Sequence, residues 1–466
     1  MKNSPKLSTA SEFVANNLEK KFMPREVLSI HVGGGGCAIG EGLWNSLLHE
    51  ISDSNAGGEI YSGISRDSLV PCTFYYESED GKYSPRCVFA DTDPSTGRYL
   101  KNIARLGAQS RCFRQDCRSN FFEGQSMASE YSIGESVVDL IREQAEKCDS
   151  LGGLLHFRSM GGGTGGGIGN EILRLIADEF PKKSVFDQVV YPSNDSSTST
   201  VEPYNVIFAL TGAIPLASLT LLFDNQAAFR ICRSKLGVDN PSFSDMNGLI
   251  GRVISGATAS LRNRSTLNAS MDEIVMNLVP DPVFRYGIVS YFPFRNSRHS
   301  SNELVSSLFD PGSSLCDSPN SLHHRYFSAS VLCGGTKPLP VVEIQRAVQK
   351  MKNNGSRIKF VPWIPNSFKV GLVETRSSVE TSASNAVMLA NSTAVNGLFV
   401  REYRKFLELF FHKAFVWQFL EAGGEMDDFY SARETIRDLI GNYTKIISDC
   451  ETEESSALIN RLSVCR

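Results

Sequence analysis

"LLHFRSMGGGTGGGIGNEILRLIADEF", residues 154–180, sets an apolar run against a helix-like one and fills the junction with seven glycines between Gly161 and Gly169. "LLHFRS" reads as a buried strand, and the segment after the glycines reads as a helix reaching about Phe180. A glycine turn between a strand and a helix bares consecutive backbone N–H groups, and with them the positive end of the helix dipole, so its natural ligand is an anion such as phosphate. The phosphate loop of the common nucleotide hydrolases needs GxxxxGK[ST]. Here Ile168, Gly169 and Asn170 follow the run, and no lysine does.

The same grammar recurs upstream. "EVLSIHV" (26–32) reads as a strand, four glycines follow, and "CAIGEGLWNSLLHEI" places Ile39, Leu43, Leu47 and Ile51 at helical spacing. "SPRCVFADTDP" (84–94) reads as a strand ending in acidic residues, "IGESVVDLIREQAEKC" (133–148) as an amphipathic helix, and "SVFDQVVYPS" (184–193) as a further strand. Strands alternating with helices give an α/β fold, a parallel sheet with helices on both faces and ligands at the carboxyl ends of the strands. Both glycine runs fall at that edge. Farther on, "FSDMNGLIGRVISGATASLR" (243–262) reads as one long helix rich in small residues, "SRIKFVPW" (356–363) and "FKVGLVE" (368–374) as strands of a second α/β unit, and 393–448 as helical and aromatic-rich.

Composition narrows the function. A formal charge of −4 over 466 residues gives no general grip on nucleic acid, and no apolar stretch approaches the ~20 residues of a membrane span. The eleven cysteines contain no CxxC, so neither a zinc ribbon nor a redox dithiol is indicated, and reduced cysteines of a cytosolic protein are expected. Residues 1–22 carry four lysines, no arginine and no continuous apolar run, and read as a disordered extension rather than a targeting segment. The dinucleotide fingerprint GxGxxG/A is met loosely by Gly33, Gly35 and Ala38 and by Gly161, Gly163 and Gly166, with Glu50 and Asp53 placed for a ribose. That keeps an NAD(P)-dependent enzyme open as a remote alternative.

Longer motifs resemble a known family. "GGGTGGG" (161–167) is similar to the GGGTGSG phosphate loop of the tubulin and FtsZ superfamily, and "VEPYN" (201–205) resembles eukaryotic tubulins. The likeness continues in order through "CVFADTDP", "LFDNQAAF", "TLNASMDEIVMNLVPDP", "FVPWIPNSFKVGL", "NSTAV" and "KAFVW", over roughly residues 23–445. "TFYYESEDGKYSPRCVFADTDP", "KKSVFDQVVYPS" and Glu273, where beta chains carry lysine, resemble the alpha class. The resemblance implies a tubulin fold: after the extension at 1–22, a Rossmann-like GTP-binding domain (23–242), a core helix (243–262), an intermediate α/β domain (263–392), then C-terminal helices and a short tail (393–466).

It also implies a site for GTP and Mg²⁺. Gly33, Gly34, Gly35, Ser119, Ser159, Gly161, Gly162, Gly163, Thr164 and Gly165 would wrap the phosphates, and Asp91 and Asp93 would hold the hard cation through waters. Ser197, Thr198 and Glu202 would lie near the ribose, Asn225 and Asn247 would read the guanine edge, and Phe243 would stack on the base. Departures accompany the match. Gly34 and Ala38 stand where the family has two glutamines, Ser119 replaces an asparagine, Gly166 a serine, and Ser270 an acidic residue.

Function follows by the same implication. The expected protein is a divergent alpha-type tubulin, a GTPase of the cytoplasmic microtubule cytoskeleton that pairs head to tail with a beta-type tubulin. Glu273 would promote hydrolysis in the neighbouring subunit, and microtubule-associated proteins would be further partners. A tubulin-fold cap, template or centriolar or ciliary component is the alternative, kept open by a shortened lateral loop near "FPFRNSRHSSNELVSSLF" (292–309). The ending "CETEESSALINRLSVCR" lacks a glutamate run and a terminal tyrosine, and no lysine lies between His49 and Asp80 to accept lumenal acetylation.

Overall fold

The computed structural model describes residues 25–51, 70–77, 83–98, 107–113, 117–193, 197, 199–263, 265–294, 299–317, 324–335, 341–353, 358–374 and 385–464. The expected extension at 1–22 and Thr198 lie outside the described residues, as do most of the lysine-free stretch (52–69 and 78–80) and residues 295–298 of the lateral loop.

The strands are β1 (Glu26–Val32), β2 (Tyr75–Glu77), β3 (Tyr83–Pro85), β4 (Cys87–Asp91), β5 (Gln109–Cys112), β6 (Leu151–Ser159), β7 (Ser184–Tyr191), β8 (Leu219–Asp224), β9 (Tyr286–Phe292), β10 (Tyr326–Gly335), β11 (Phe368–Glu374) and β12 (Asn385–Ser392). β2 and β3 form a small antiparallel pair. The others make one ten-stranded sheet in the order β11-β10-β12-β9-β8-β7-β6-β1-β4-β5. From β5 across to β9 every neighbouring pair is parallel, and β12 enters antiparallel between β9 and β10. Parallel strands need crossover helices, which cover both faces, so the strands read as apolar runs rather than alternations. β1, β4 and β8 are buried along their whole length.

On one face the helix Gly33–Ile51 packs against the core helix Phe243–Ala257, in a core that includes Leu43, Trp44, Leu249 and Ile250. Their backbones almost touch: a Cβ on Gly251 would stand 2.4 Å from the Gly42 carbonyl carbon. The small residues read from the sequence thus permit this crossing. On the other face lie the helices Ile133–Glu146 and Gly169–Glu179, contributing Val137, Ile141, Ile172 and Ile176. The C-terminal helices attach to Glu202–Ala213 through edge-on ring contacts of Tyr204 with Phe406, Phe419 and Phe429. Phe208 joins the same group.

Four boundaries differ from the sequence reading. The first glycines are not a loop, because the helix already begins at Gly33. The long helix read over 243–262 breaks at Thr258, whose hydroxyl bonds back to the Ile254 carbonyl at 2.8 Å and competes with helix propagation. Of "SRIKFVPW", the described residues form only a bridge between Phe360 and Tyr326, since Pro362 and Pro365 remove the donors a strand would use. The expected short tail is helix as far as Val464, within Met426–Val464, a segment with no glycine after Gly441 and no proline to stop it.

Candidate nucleotide site

The carboxyl ends of β1, β4, β6 and β7 open on a cleft of about 460 Å³, within the usual size of a small-molecule site. It is lined by Gly33, Gly34, Gly35, Asp91, Asp93, Ser119, Ser159, Gly161, Gly162, Gly163, Thr164, Gly165, Glu202, Asn225, Phe243 and Asn247. Residues up to 214 positions apart in sequence are therefore brought to one place. Ser197 stands behind the lining, its hydroxyl donating to Glu202 Oε2 at 2.7 Å.

Two glycine turns form the floor. Chain direction reverses after β1 at Gly33, whose φ of +73° is a left-handed conformation that glycine adopts without strain. The second turn, Thr164–Ile168, is a short π-helix, a form that recurs at functional sites, and it runs directly into the helix Gly169–Glu179. Gly165 sits so close to β6 that a Cβ would stand 2.3 Å from the Ser159 carbonyl oxygen. The turns touch each other as well: a Cβ on Gly33 would lie 3.1 Å from the Gly165 nitrogen. Gly162, by contrast, has nothing within 4 Å of its Cβ position and faces open space.

The acidic loop closes one wall. Asp91 is buried, accepts hydrogen bonds from the Thr96 hydroxyl and from the Thr92 amide at 2.7 Å, and burial pushes its carboxyl above the ordinary range against those bonds. Asp93 is exposed, and its carboxylate accepts from the Ser95 amide at 2.7 Å and the Ser95 hydroxyl at 2.6 Å. Thr92 Oγ1 and Thr164 Oγ1 lie 2.8 Å apart and couple this loop to the second glycine turn.

Arg118 and Ser119 occupy a tight turn, both left-handed at φ 44° and 52°, closed by the Asn120 amide donating to the Cys117 carbonyl at 2.8 Å. Asn205, inside "VEPYN", pins it: its Nδ2 donates to the carbonyls of Ser119 at 2.7 Å and Gly161 at 2.8 Å, and its Oδ1 accepts from the Phe121 amide at 3.0 Å. At the opposite wall Phe243 and Asn247 share one helix face, four residues apart. Phe243 is 48% exposed, a large ring left open at the mouth of the cleft.

Among the described residues no lysine, arginine or histidine lines the cleft, while Asp91, Asp93 and Glu202 do. An anion here must be held by backbone amides, and the surplus negative charge calls for a cation. The donors facing that cation are carboxylate and hydroxyl oxygens, the set that suits Mg²⁺, which keeps its waters and binds through one or two carboxylates plus phosphate. Among the described residues no cluster of three or more His, Cys, Asp or Glu forms a metal centre of its own. The residues thus fit a cation that arrives with its phosphates.

Family comparison agrees with this geometry. The chain matches the Tubulin/FtsZ family GTPase domain over residues 26–233 and the tubulin C-terminal domain over 282–403. It is 34% identical to the tubulin alpha-3 chain of Saccharomyces cerevisiae, a match covering 92% of this chain and all of that one. The tubulin alpha-1 chain of the same yeast is 33% identical, covering 92% and 99%, and the tubulin alpha-3 chain of Zea mays 32%, covering 91% and 97%. The chain belongs to the tubulin family. As a tubulin it is a GTP-binding subunit of the microtubule cytoskeleton with a GTPase domain, and identities near one third mark it as a divergent relative of alpha chains. None of its described helices is long and apolar enough to cross a membrane.

Sequence reasoning missed three groups in this tubulin's cleft. Thr92 and Cys117 line it, and Asn205 holds two of its turns. Thr92 had a signal, its place between two acids in "ADTDP"; Asn205 lay within a quoted motif; Cys117 had none. Glu273 lies elsewhere, at the start of the helix Met271–Leu278. Its carboxylate accepts from the amides of Asn268 at 3.0 Å and Ala269 at 2.9 Å, while Ser270 Oγ accepts from the Glu273 amide at 3.2 Å. Ser270 thus caps the helix, and the Glu273 carboxylate holds the two residues that lead into it. Asp272, the adjacent carboxylate, pairs with Arg25 at 3.1 Å and accepts from Ser184 Oγ at 2.6 Å.

Proposed function

We propose that this chain pairs head to tail with a beta-type tubulin, binds GTP in the cleft, and completes the neighbour's hydrolytic site with Glu273. The observation that carries the nucleotide part is the convergence of two glycine turns and an acidic pair in a cleft with no basic side chain among the described residues. Backbone amides of Gly161–Gly165 would take the phosphates, Asp91 and Asp93 would hold Mg²⁺ against them, and Phe243 would cover the base with Asn225 and Asn247 at its edge. Ser197 and Glu202 would lie toward the ribose. Mg²⁺ would supply neutralisation of phosphate charge. A non-closing contact between such subunits builds a filament.

Glu273 would orient the water that attacks the neighbour's terminal phosphate, and its role is separable from its cap. Glu273→Gln keeps one acceptor oxygen and so one of the two amide contacts, whereas Glu273→Ala removes both, at a cost of about 1 kcal/mol for each hydrogen bond lost. Both should lower phosphate release during co-assembly with beta-tubulin by about 10² to 10⁴-fold, the usual contribution of such a group. The alanine variant should melt earliest, with the glutamine variant between it and wild type. Phosphate release equal to wild type in both would show that this carboxylate serves only its own helix. The nucleotide itself is read by denaturing the purified chain and separating GTP and GDP from NAD(P) in the supernatant; recovery of NAD(P) alone would overturn the guanine reading.

One observation favours a second reading. In the single chain the Glu273 carboxylate is already engaged by two backbone amides, and the first glycine turn lacks side-chain donors, as expected of a tubulin-fold cap or centriolar or ciliary component outside the lattice. Nucleotide binding without any co-assembly with beta-tubulin would select it.

A further inference from the structure

Beneath the second glycine turn lies a charged group that no role in the cleft accounts for. Arg158 on β6 and Asp187 on β7 are fully buried and ion-paired at 2.7 Å, with Arg158 Nε also donating to both Asp187 oxygens at 3.1 Å. His156 Nδ1 approaches Asp187 Oδ1 at 2.8 Å. Nε and Nη2 of the guanidinium therefore face the carboxylate. Nη1 faces the other way, donating to Asn170 Oδ1 at the start of the helix Gly169–Glu179 and to the Gly165 carbonyl at 3.5 Å. The pair is neutral as a whole, yet its positive pole is turned toward the glycine turn.

Burying such a pair costs desolvation, and an apolar pair of equal size is often as stable, so stability alone does not explain it. Its direction does. The fork of Nε and Nη2 is fixed on Asp187, so the remaining nitrogen Nη1 is held in place to reach one point in the π-turn and one in the helix that follows, and the dipole of the pair acts through a low-dielectric interior. Among the described residues the cleft above has no basic side chain of its own.

We propose that Arg158 is a positioning residue for phosphate: it clamps the π-turn from below so that the turn's amides stay aimed into the cleft, and it supplies the positive potential that the cleft wall lacks. This rests on the nucleotide reading above. The ligand feature it serves is the phosphate chain, so its effect scales with the number of phosphates and spares the nucleoside.

The test uses the full chain with Arg158→Gln and Asp187→Asn combined, which removes both charges and leaves hydrogen-bonding groups of similar shape. GTP, GDP and guanosine each displace a fluorescent GTP analogue, and amide hydrogen exchange is followed across residues 161–167 without nucleotide. The expected result is a GTP affinity lower by about tenfold, or 1.4 kcal/mol, a smaller loss for GDP, little change for guanosine, and faster exchange in the turn. Unchanged affinity for all three, or an equal loss for all three, overturns the proposal. If the double variant does not fold, Arg158→Lys decides: it keeps the charge and loses the fork, so faster exchange with the triphosphate preference retained supports the role, and loss of that preference overturns it. A wild-type chain that binds no guanine nucleotide refutes the proposed function instead, and the exchange measurement still reads the clamp.

Discussion

The two glycine turns do the same geometric work with different means of support. The second, Thr164–Ile168, is packed against β6 backbone and tied through Arg158 to a buried ion pair. The first, Gly33–Gly36, opens the helix Gly33–Ile51 and is as close to β6 at Gly36, where a Cβ would stand 2.3 Å from the Phe157 carbonyl oxygen, but among the described residues it has no such ion pair and it has room at Gly34, where the nearest atom to a Cβ would be Asp91 Oδ2 at 3.8 Å. That is also where the resemblance expects a glutamine. The lesson is that backbone positions packed against the sheet, such as Gly165, resist sequence change because a side chain clashes there, whereas contacts made by side chains can be lost without disturbing the fold.

The largest effect that sharpens this contrast comes from the buried support. Asp187→Asn leaves Arg158 charged, buried and unpaired, which should cost about 3–5 kcal/mol in urea unfolding at neutral pH. Burial alone would raise the Asp187 carboxyl, but the Arg158 charge and the His156 hydrogen bond prevail and hold it down at about 2. A depressed folded pKa gives stability that is complete above the unfolded value of 3.8 and is lost as pH falls toward 2. The gap between variant and wild type should therefore narrow as pH drops from about 4 to about 2. A gap independent of pH would mean that the carboxylate's charge does not hold the turn.

Next comes the turn itself. Gly165→Ala places a Cβ against the Ser159 carbonyl, where only backbone can yield, and should destabilise by about 3 kcal/mol, the upper part of the range for overpacking. Gly162→Ala, with open space around it, should leave thermal unfolding unchanged. Equal melting temperatures for the two variants would show that the turn is not built by close contact.

These elements also divide what could be read from the sequence. The alternation of strand and helix, the parallel sheet and both glycine turns were legible because they depend on local pattern: a period, a glycine run, a dipeptide at a strand end. The cleft lining was legible only through ordered motifs, since nothing local relates Asp91 to Asn247. The roles of Asn205 and of the Arg158–Asp187 pair were not legible, because each acts through a hydrogen bond to a residue distant in sequence, although Asn205 stands inside a recognisable motif. Arg158 reads locally as an out-of-place charge in an apolar strand, and its partner lies 29 positions away. Ser270 and Glu273 have capping-box spacing, but the Glu273 carboxylate turns to the amides of Asn268 and Ala269, which that spacing does not reveal.

The smallest expected effect tests the first turn by restoring what it lacks. Gly34→Gln adds a side chain at a position where the Cβ meets nothing closer than Asp91 Oδ2 at 3.8 Å, so the substitution should not disturb folding, and thermal unfolding without nucleotide should match wild type. The amide it adds lies beside Asp91 at the phosphate end of the cleft, and a hydrogen bond to a charged group contributes about 1.5–3 kcal/mol. Part of that is offset by fixing a long side chain that is free in the empty cleft, roughly 1–2 kcal/mol. The net gain should be no more than about tenfold in GTP affinity, 1.4 kcal/mol, read by displacement of a fluorescent analogue. A gain confined to nucleotides with phosphates, and absent for guanosine, would show that the first turn lost donors rather than shape. An unchanged or weakened affinity with normal stability would show instead that Gly34 is needed as bare backbone, and the contrast between the two turns would fall.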